Sequence, residues 1–247
     1  VYTWSVDIDE QDLSTGGFHA ARIQGDVYKT LICHNFLGNA SATLIRKDCL
    51  VQIGGYSTQL KAQNAQGCED WDLYLRLAER YDFGVVPEFL VGYRKVSGSM
   101  SGDFGQMARS QRAMLQAIEQ KHSELPGYLY RLSCSSFYLY LAQRSNLCNA
   151  PESTLFWLRQ AITVDPITPL CRPGFYLLLI KNLARKFVGT ATAAQAEAKP
   201  AILNSSKYPT SAASSGAVSI PPLEINRLTI WLKLLVGSVF HLLLSRI

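Results

Sequence analysis

The chain has 247 residues, of which 48% are hydrophobic, so it is long enough and apolar enough to bury a substantial core. Only 17% of the residues are charged, against about 25% in a typical soluble protein, and the deficit is concentrated toward the C-terminus, which indicates a membrane surface. The net charge of +5 is modest and the Lys and Arg residues are scattered, which argues against nucleic acid as a partner.

The first predicted elements are a strand, a turn and a short helix. Residues 1–8 are rich in β-branched and aromatic side chains, as β-strands are. The polar residues 9–14 and the pair Gly16 and Gly17 predict that a turn follows. A short helix is predicted over residues 26–33. Because no initiator Met, basic segment or apolar signal core precedes this region, we expect a fragment of a longer protein without a secretory signal.

The next segment predicts a strand and then a brief helix. Residues 41–46 have the composition of a strand. A helix is predicted from Lys47 to the pair Gly54 and Gly55, because glycine adopts the left-handed conformation that commonly ends helices. Strands and helices therefore alternate in this part of the chain, which favours an α/β layer.

The strongest helical pattern covers residues 69–81. Its apolar residues recur at helical spacing, and Asp72 and Arg76 are four residues apart, where they can pair. An extended apolar run follows over residues 83–94. Since Pro87 interrupts it, this run predicts an edge strand or two short strands.

Beyond Gly102 the chain is predicted to be helical. Helices are expected over residues 104–120, 128–144 and 153–164. Residues 129–166 resemble a single tetratricopeptide-like helix pair. Because one repeat cannot form an array, we favour an ordinary helical hairpin packed on the domain.

The last part of the chain predicts a linker and an apolar helix. Residues 190–222 are dominated by Ala, Ser, Thr and Pro without periodicity, as in a flexible linker. Residues 228–244 are apolar except for a narrow polar stripe of Lys233, Gly237 and His241. We favour a helix that lies in the membrane interface, while a true span and packing on protein both remain open.

Cysteine and histidine spacing suggests neither a metal site nor a disulfide framework. The six Cys residues lie far apart without a C-x-x-C pair, and the four His residues show no ligand spacing. A reducing cytoplasm is the simplest location for such a chain.

An ordered block of short motifs occupies residues 39–101. In chain order the block contains a Ser-x-x-x-x-Arg segment over 41–46, Gly54-Gly55-Tyr56, Glu69-Asp70-Trp71-Asp72, Gly92-Tyr93-Arg94 and Ser97-Gly98-Ser99. In that order and spacing the block resembles the second half of the catalytic domain of family 2 glycosyltransferases. Any one piece is weak evidence, whereas the ordered set is specific.

The resemblance implies a fold and an overall reaction. The fold is α/β, a partial GT-A-type (nucleotide-diphospho-sugar transferase-like) layer followed by an α-helical extension. The reaction is transfer of a sugar from a nucleotide diphosphate to a hydroxyl acceptor with inversion.

The same resemblance divides the chain into four parts. Residues 1–105 would form the acceptor-side half, 106–189 the helical extension, 190–222 the linker and 223–247 the apolar amphipathic helix. Because the donor-reading residues would precede Val1, this chain alone is expected to be inactive.

The resemblance assigns the chemistry to two adjacent carboxylates. Asp70 matches the aspartate of the family's Glu-Asp motif, which implies a general base, with Glu69 as a supporting or acceptor-contacting group. We expect the N-terminus of the helix to hold Asp70 ionised at neutral pH. The alternative is that these acids only stabilise the first helical turn. Within the ordered block the catalytic interpretation is favoured.

Four further residues occupy positions that the family places near substrates. Asn39 and Ser41 stand in the loop that approaches the acceptor, although Asn39 also suits a Gly-Asn turn. Trp71 either stacks on an acceptor sugar or belongs to the core. Arg94 either contacts the diphosphate or ties its strand to a nearby acid. Many relatives carry a His near Arg94, where this chain has Val96, so a metal contact from this segment is not assigned.

Asp7 and Asp9 are spaced like a metal-binding D-x-D motif. We reject that assignment, because the segment resembles a later strand that ends in a polar turn, and we interpret both as exposed turn acids. No metal ligand and no cofactor is therefore assigned to this chain. A divalent cation, Mg or Mn, is expected for the full-length enzyme.

The implied partners are a nucleotide-sugar donor and a glycan or lipid-linked acceptor. A membrane surface would contact residues 223–247, which places the protein in the cytoplasm at the inner face of the membrane. One alternative is a non-catalytic helical scaffold with a relic glycosyltransferase half. A glycoside hydrolase is excluded, because Glu69 and Asp70 are adjacent and cannot flank a glycosidic bond from opposite sides at roughly 5–9 Å.

Overall fold

The computed structural model describes residues 1–62, 65–96, 102–193 and 226–246. The strands are β1 (Tyr2–Ile8), β2 (Ser14–His19) and β3 (Val85–Arg94). The helices are α1 (Tyr28–Cys33), a 3-10 helix (Ala40–Ala42), α2 (Lys47–Gln52), α3 (Gln59–Ala62), α4 (Glu69–Ala78), α5 (Phe104–Lys121), α6 (Gly127–Leu147), α7 (Pro151–Val164), α8 (Ile167–Leu170), α9 (Pro173–Ala193) and α10 (Arg227–Ser245). The mixed α/β character expected from the sequence is confirmed.

The described strands form one sheet in the order β2-β1-β3. The central strand β1 pairs antiparallel with β2 and parallel with β3. The predicted strand over residues 1–8 is confirmed. The prediction that Gly16 and Gly17 form a turn is wrong, since both lie inside β2. Gly17 is needed there, since a Cβ at this position would lie 2.5 Å from Asp7 Oδ2 on the neighbouring strand.

Strand β3 lies at one edge of the described sheet, as Pro87 predicted. Its register against β1 slips between Thr3, opposite Val86, and Trp4, opposite Phe89. The Thr3 hydroxyl donates to the carbonyl oxygen of Glu88 at 2.6 Å. A side chain thus satisfies a backbone acceptor where the regular ladder is interrupted.

The predicted strand over residues 41–46 is wrong. This segment begins in the 3-10 helix and makes only an isolated bridge between Thr43 and Tyr2. The reason is local, because the Asn39 side chain accepts a hydrogen bond from the Ala42 N–H at 3.1 Å and so stabilises a turn. The following helix α2 is confirmed, and Gly54 and Gly55 have φ of 78° and 67°, as expected for glycines that end a helix.

Two apolar clusters form the core and meet at α6. The first joins β1, α1, α4, α5 and α6 through residues such as Leu31, Trp71, Met114 and Leu129. The second joins α6, α7 and α9 and includes Tyr138, Leu141, Trp157, Leu158 and Phe175. The partly buried Phe137 packs against both clusters.

The C-terminal helices correct one prediction and confirm another. Helix α9 continues to Ala193, so the first four residues of the predicted linker, 190–193, are helical. The rest of that linker, 194–222, lies outside the described residues. The predicted apolar helix is α10, and its Leu244 is buried in the first cluster. Within the described ranges, α10 is the one helix whose length and composition would allow it to cross a membrane.

Candidate active site

The carboxyl ends of the parallel strands β1 and β3 meet at one edge of the sheet, the position where α/β proteins bind ligands. Asp7 lies near the end of β1, and Tyr93 and Lys95 lie at the end of β3. Lys95 Nζ is 3.6 Å from Asp7 Oδ1 and 4.3 Å from the centre of the Tyr93 ring. This edge therefore carries a half-buried cation, a carboxylate and a phenol in contact.

Helix α4 begins with the predicted carboxylates. Asp70 Oδ1 accepts the Trp71 N–H at 2.7 Å, and Glu69 Oε2 accepts the Gly67 N–H at 2.8 Å. Acids are stabilised in a first helical turn, because free N–H groups and the helix dipole favour negative charge there. Asp72 instead pairs with Arg76 at 2.9 Å, as predicted.

Burial controls the charge of Asp70. It raises the pKa of this carboxyl to about 6, and the neighbouring Glu69 charge adds to the rise, while the Trp71 amide opposes it. Removal of water thus outweighs the amide bond at the helix N-terminus, from which we expected ionisation at neutral pH. Asp70 is still mostly ionised at neutral pH, and it is a stronger base than an ordinary aspartate.

Three tyrosines lie within range of the Asp70 charge. Burial raises the pKa of Tyr56, Tyr74 and Tyr93, and the negative charge of Asp70 raises each of them further. They come from the turn after α2, from α4 and from the end of β3. Among the described residues, no Lys or Arg forms an ion pair with Asp70. Asp70 is thus a carboxylate without a cationic partner, placed among hydroxyl groups.

Asn39 and Ser41 differ in exposure. Asn39 is 3% exposed, and its Nδ2 donates to Ser5 Oγ on β1 at 2.8 Å. Its carbonyl oxygen accepts from the Tyr74 hydroxyl at 3.5 Å. The Asn39 side chain therefore links the loop to the sheet, while Ser41 is exposed.

Trp71 and Arg94 are both engaged with other protein groups. Trp71 is 4% exposed, and its indole N–H donates to the Leu31 carbonyl oxygen at 2.7 Å. Arg94 donates to the Asp9 carbonyl oxygen at 2.9 Å and pairs with Asp12. The structure thus favours the core alternative for Trp71 and the strand-tying alternative for Arg94.

Sequence reasoning missed several residues of the cluster. Tyr56 and Tyr93 stood inside the motif block, but we gave them no role. Arg144 had no signal in the sequence. It lies on α6 with a buried Nε that has no hydrogen-bond partner among the described residues. Burial raises the pKa of Tyr140 and Tyr93, and the Arg144 charge opposes both rises.

Within the described residues, no group of three or more His, Cys, Asp or Glu side chains is arranged to hold a metal ion. A divalent cation for the full-length enzyme stays a prediction. Asp9 Oδ1 accepts the N–H groups of Gln11 and Leu13, each at 2.9 Å, as expected of a turn acid. The prediction that Asp7 is an exposed turn acid is wrong, since this side chain is half-buried and contacts Lys95.

Comparison with known proteins gives one finding. The family model described as "Glycosyltransferase like family 2" matches residues 2–137. The match includes β1 to β3, both carboxylates at the start of α4, all of α5 and the first half of α6. It also spans residues 97–101 of the motif block, which lie outside the described residues. No curated protein and no solved structure matches the chain.

Proposed function

Because this chain belongs to glycosyltransferase-like family 2, we propose that it carries the acceptor-side half of an inverting, GT-A-type sugar transferase with Asp70 as the general base. The observation that supports this most is the environment of Asp70. This carboxylate is partly buried, has no cationic partner among the described residues, and has a pKa raised to about 6. Such a group can accept a proton near neutral pH.

In the proposed reaction Asp70 first accepts a hydrogen bond from the acceptor hydroxyl. The hydroxyl oxygen then attacks the anomeric carbon of the donor sugar while its proton passes to the carboxylate. The bond from that carbon to the diphosphate oxygen breaks, and its electron pair leaves with the nucleoside diphosphate. In-line displacement inverts the configuration, and the reaction depends mainly on the positions of the groups.

In this proposal, tyrosine hydroxyl groups near Asp70 hold the acceptor. Tyr56 is 53% exposed and Tyr93 is half-buried, so each can present a ring and a hydroxyl to a sugar. Acceptor contacts by Glu69 and Ser41 stay predictions. The acceptor is proposed to be a glycan or a lipid-linked glycan, and the donor a nucleotide sugar.

The leaving diphosphate requires positive charge. Lys95 lies at the edge of the sheet beside Asp7, and the charge of Arg144 acts on Lys95 and Tyr93. Arg144 Nε has no hydrogen-bond partner among the described residues. A diphosphate contact by Arg94 stays a prediction, and it would require this guanidinium to leave Asp12. A Mg or Mn ion also stays a prediction for the full-length enzyme, and no step above depends on it.

The test is Asp70→Asn in the longest available form of the protein, assayed with a set of nucleotide sugars. Asparagine keeps the shape of the side chain but cannot take the proton, so kcat should fall by about a thousandfold. The acceptor KM should change little, because the amide still accepts a hydrogen bond. Steady-state kinetics on both proteins measure this.

Asp72→Asn is the matched control. Asp72 lies in the same helical turn but points to Arg76, so its loss should leave kcat near the wild-type value. Full transfer activity in the Asp70→Asn protein would contradict the proposed base and would favour a non-catalytic scaffold.

A further inference from the structure

The outward face of α10 is apolar along nearly the whole helix. Its residues follow helical spacing and are each 45–66% exposed, namely Leu228, Trp231, Leu232, Leu235, Val236, Val239, Leu242 and Leu243. In an ordinary surface helix such residues would face the domain. A continuous exposed apolar face of this kind marks a docking surface.

Two polar residues of α10, Lys233 and His241, contact the domain instead. Lys233 Nζ donates to the Phe18 carbonyl oxygen at 2.8 Å and lies 4.5 Å from the centre of that ring. His241 Nδ1 is 2.7 Å from the hydroxyl oxygen of Thr30. Leu244 is buried on the same side. These contacts fix the rotation of α10 about its axis and leave the apolar face outside.

The charges around this face are positive. Arg227 and Arg246 lie at the two ends of α10, and residues 226–246 contain no acidic side chain. Arg227 and Arg22 also line a groove of about 380 Å³ beside α10, together with Trp4 and Trp231. Neither of these two arginines is in an ion pair among the described residues. An apolar face bordered by free cations complements an anionic lipid surface.

We propose that α10 seats the protein on an anionic lipid bilayer, with the helix parallel to the membrane plane and its outward face among the acyl chains. A protein partner would be expected to bring polar groups, because protein interfaces carry hydrogen bonds throughout. The outward face carries one side-chain hydrogen-bonding group, the Trp231 indole N–H, which commonly lies at the headgroup level. The exposed Thr229 lies at the border of the face.

The same contacts distinguish a helix in the membrane plane from one that spans the bilayer. A spanning α10 would have to leave the domain and carry Lys233 into hydrocarbon, which is costly for a charged side chain. When α10 lies in the plane of the membrane, Lys233 retains its hydrogen bond to the Phe18 carbonyl oxygen and His241 retains its contact with the Thr30 hydroxyl. This proposal does not depend on sugar transfer.

Trp231 allows a direct test in the purified protein. It is 57% exposed, whereas Trp4, Trp71 and Trp157 are at most 8% exposed. Vesicles of phosphatidylcholine with phosphatidylglycerol should therefore shift the tryptophan emission to shorter wavelength and should sediment with the protein. Trp231→Phe should sediment with the same vesicles without this emission shift.

Two variants locate the binding surface. Leu235→Glu places a charge in the centre of the outward face and should weaken vesicle binding by at least about tenfold. Leu44→Glu is the matched control, because Leu44 is 78% exposed on a segment distant in sequence from α10 and should leave binding unchanged. Circular dichroism checks that both variants are folded.

Three results would overturn the proposal. The first is absence of wild-type binding to anionic vesicles, or an equal loss of binding in Leu44→Glu. The second is a wild-type protein that does not bind vesicles but forms a dimer without lipid, which Leu235→Glu converts to a monomer. That result would assign the outward face to contact with a second copy of the chain. The third is quenching of Trp231 that is strongest for lipids brominated at the chain ends, which would place the helix too deep for the membrane plane.

Discussion

At the residue scale, burial of Asp70 opposes stability whenever its carboxylate is ionised. Burial raises its pKa from 3.8 to about 6, so the folded state disfavours the ionised form. The stability linked to this group is therefore fully present below pH 3.8 and is lost as the pH rises through about 6. An acid that only stabilised the start of α4 would have the opposite dependence. The direction of the pH effect separates the two interpretations that the sequence left open.

Asp70→Asn is expected to raise the free energy of unfolding by about 1–3 kcal/mol at pH 8, because it removes a buried charge. The gain should nearly disappear at pH 4, where the wild-type side chain is protonated in the folded protein. Urea unfolding at the two pH values measures it. A less stable variant at pH 8 would show instead that the carboxylate stabilises the first turn of α4.

At the scale of elements, Arg76 ties α4 to the turn that carries Tyr56. Its Nη1 donates to the carbonyl oxygens of Ile53 at 3.0 Å and Gly55 at 2.8 Å. Its Nε donates to Asp72 at 2.9 Å. One planar guanidinium thus links the helix that begins with Asp70 to the glycine turn after α2. Sequence spacing predicted the Asp72 pair but not the two carbonyl contacts.

Arg76→Lys is expected to lower the free energy of unfolding by about 1–3 kcal/mol, because an ammonium group cannot replace the forked contacts and leaves buried carbonyl groups unpaired. Arg80→Lys is the control, since Arg80 is exposed near the end of the same helix. Equal stabilities of the two variants would show that the turn does not depend on the guanidinium. Chemical unfolding provides the comparison.

At the scale of the whole molecule, α6 joins the two apolar clusters. Phe137 packs against both, and its ring centre lies 5.9 Å from that of Trp71. It is also the last residue of the family match. The second cluster joins residues on both sides of this position, from Met107 on α5 to Phe175 on α9. The boundary that we predicted at residue 105 stays a prediction. We therefore expect cooperative unfolding of the two clusters to depend on this junction.

Phe137→Ala is expected to lower the free energy of unfolding by about 2–4 kcal/mol. It should also split thermal unfolding into two transitions, because a cavity at the junction uncouples the clusters. Phe156→Ala is the control, since Phe156 lies on α7 but is 51% exposed. Calorimetry should show one transition for the wild type and the control. A single, equally cooperative transition in Phe137→Ala would contradict a coupling role.

Local patterns in the sequence were enough to predict most of the helices and two of the strands. The periodicity of α4, the pairing of Asp72 with Arg76 and the glycines after α2 act over a few residues, so the sequence displays them directly. Residues 41–46 and the pair Gly16 and Gly17 were mispredicted, because strand formation requires a partner that is distant in sequence. Asp70 was found only because it stands in an ordered family motif.

The tertiary structure alone decided which side chains are buried from solvent and which come into contact with each other. It brought Tyr93 at the end of β3 within range of the Asp70 charge, and burial raised the pKa of that carboxyl. The polar stripe of α10 was visible in the sequence, but only packing showed that Lys233 and His241 face the domain. Hydrophobic spacing identifies an amphipathic helix, whereas the contacts of its two faces decide which one is left for a partner.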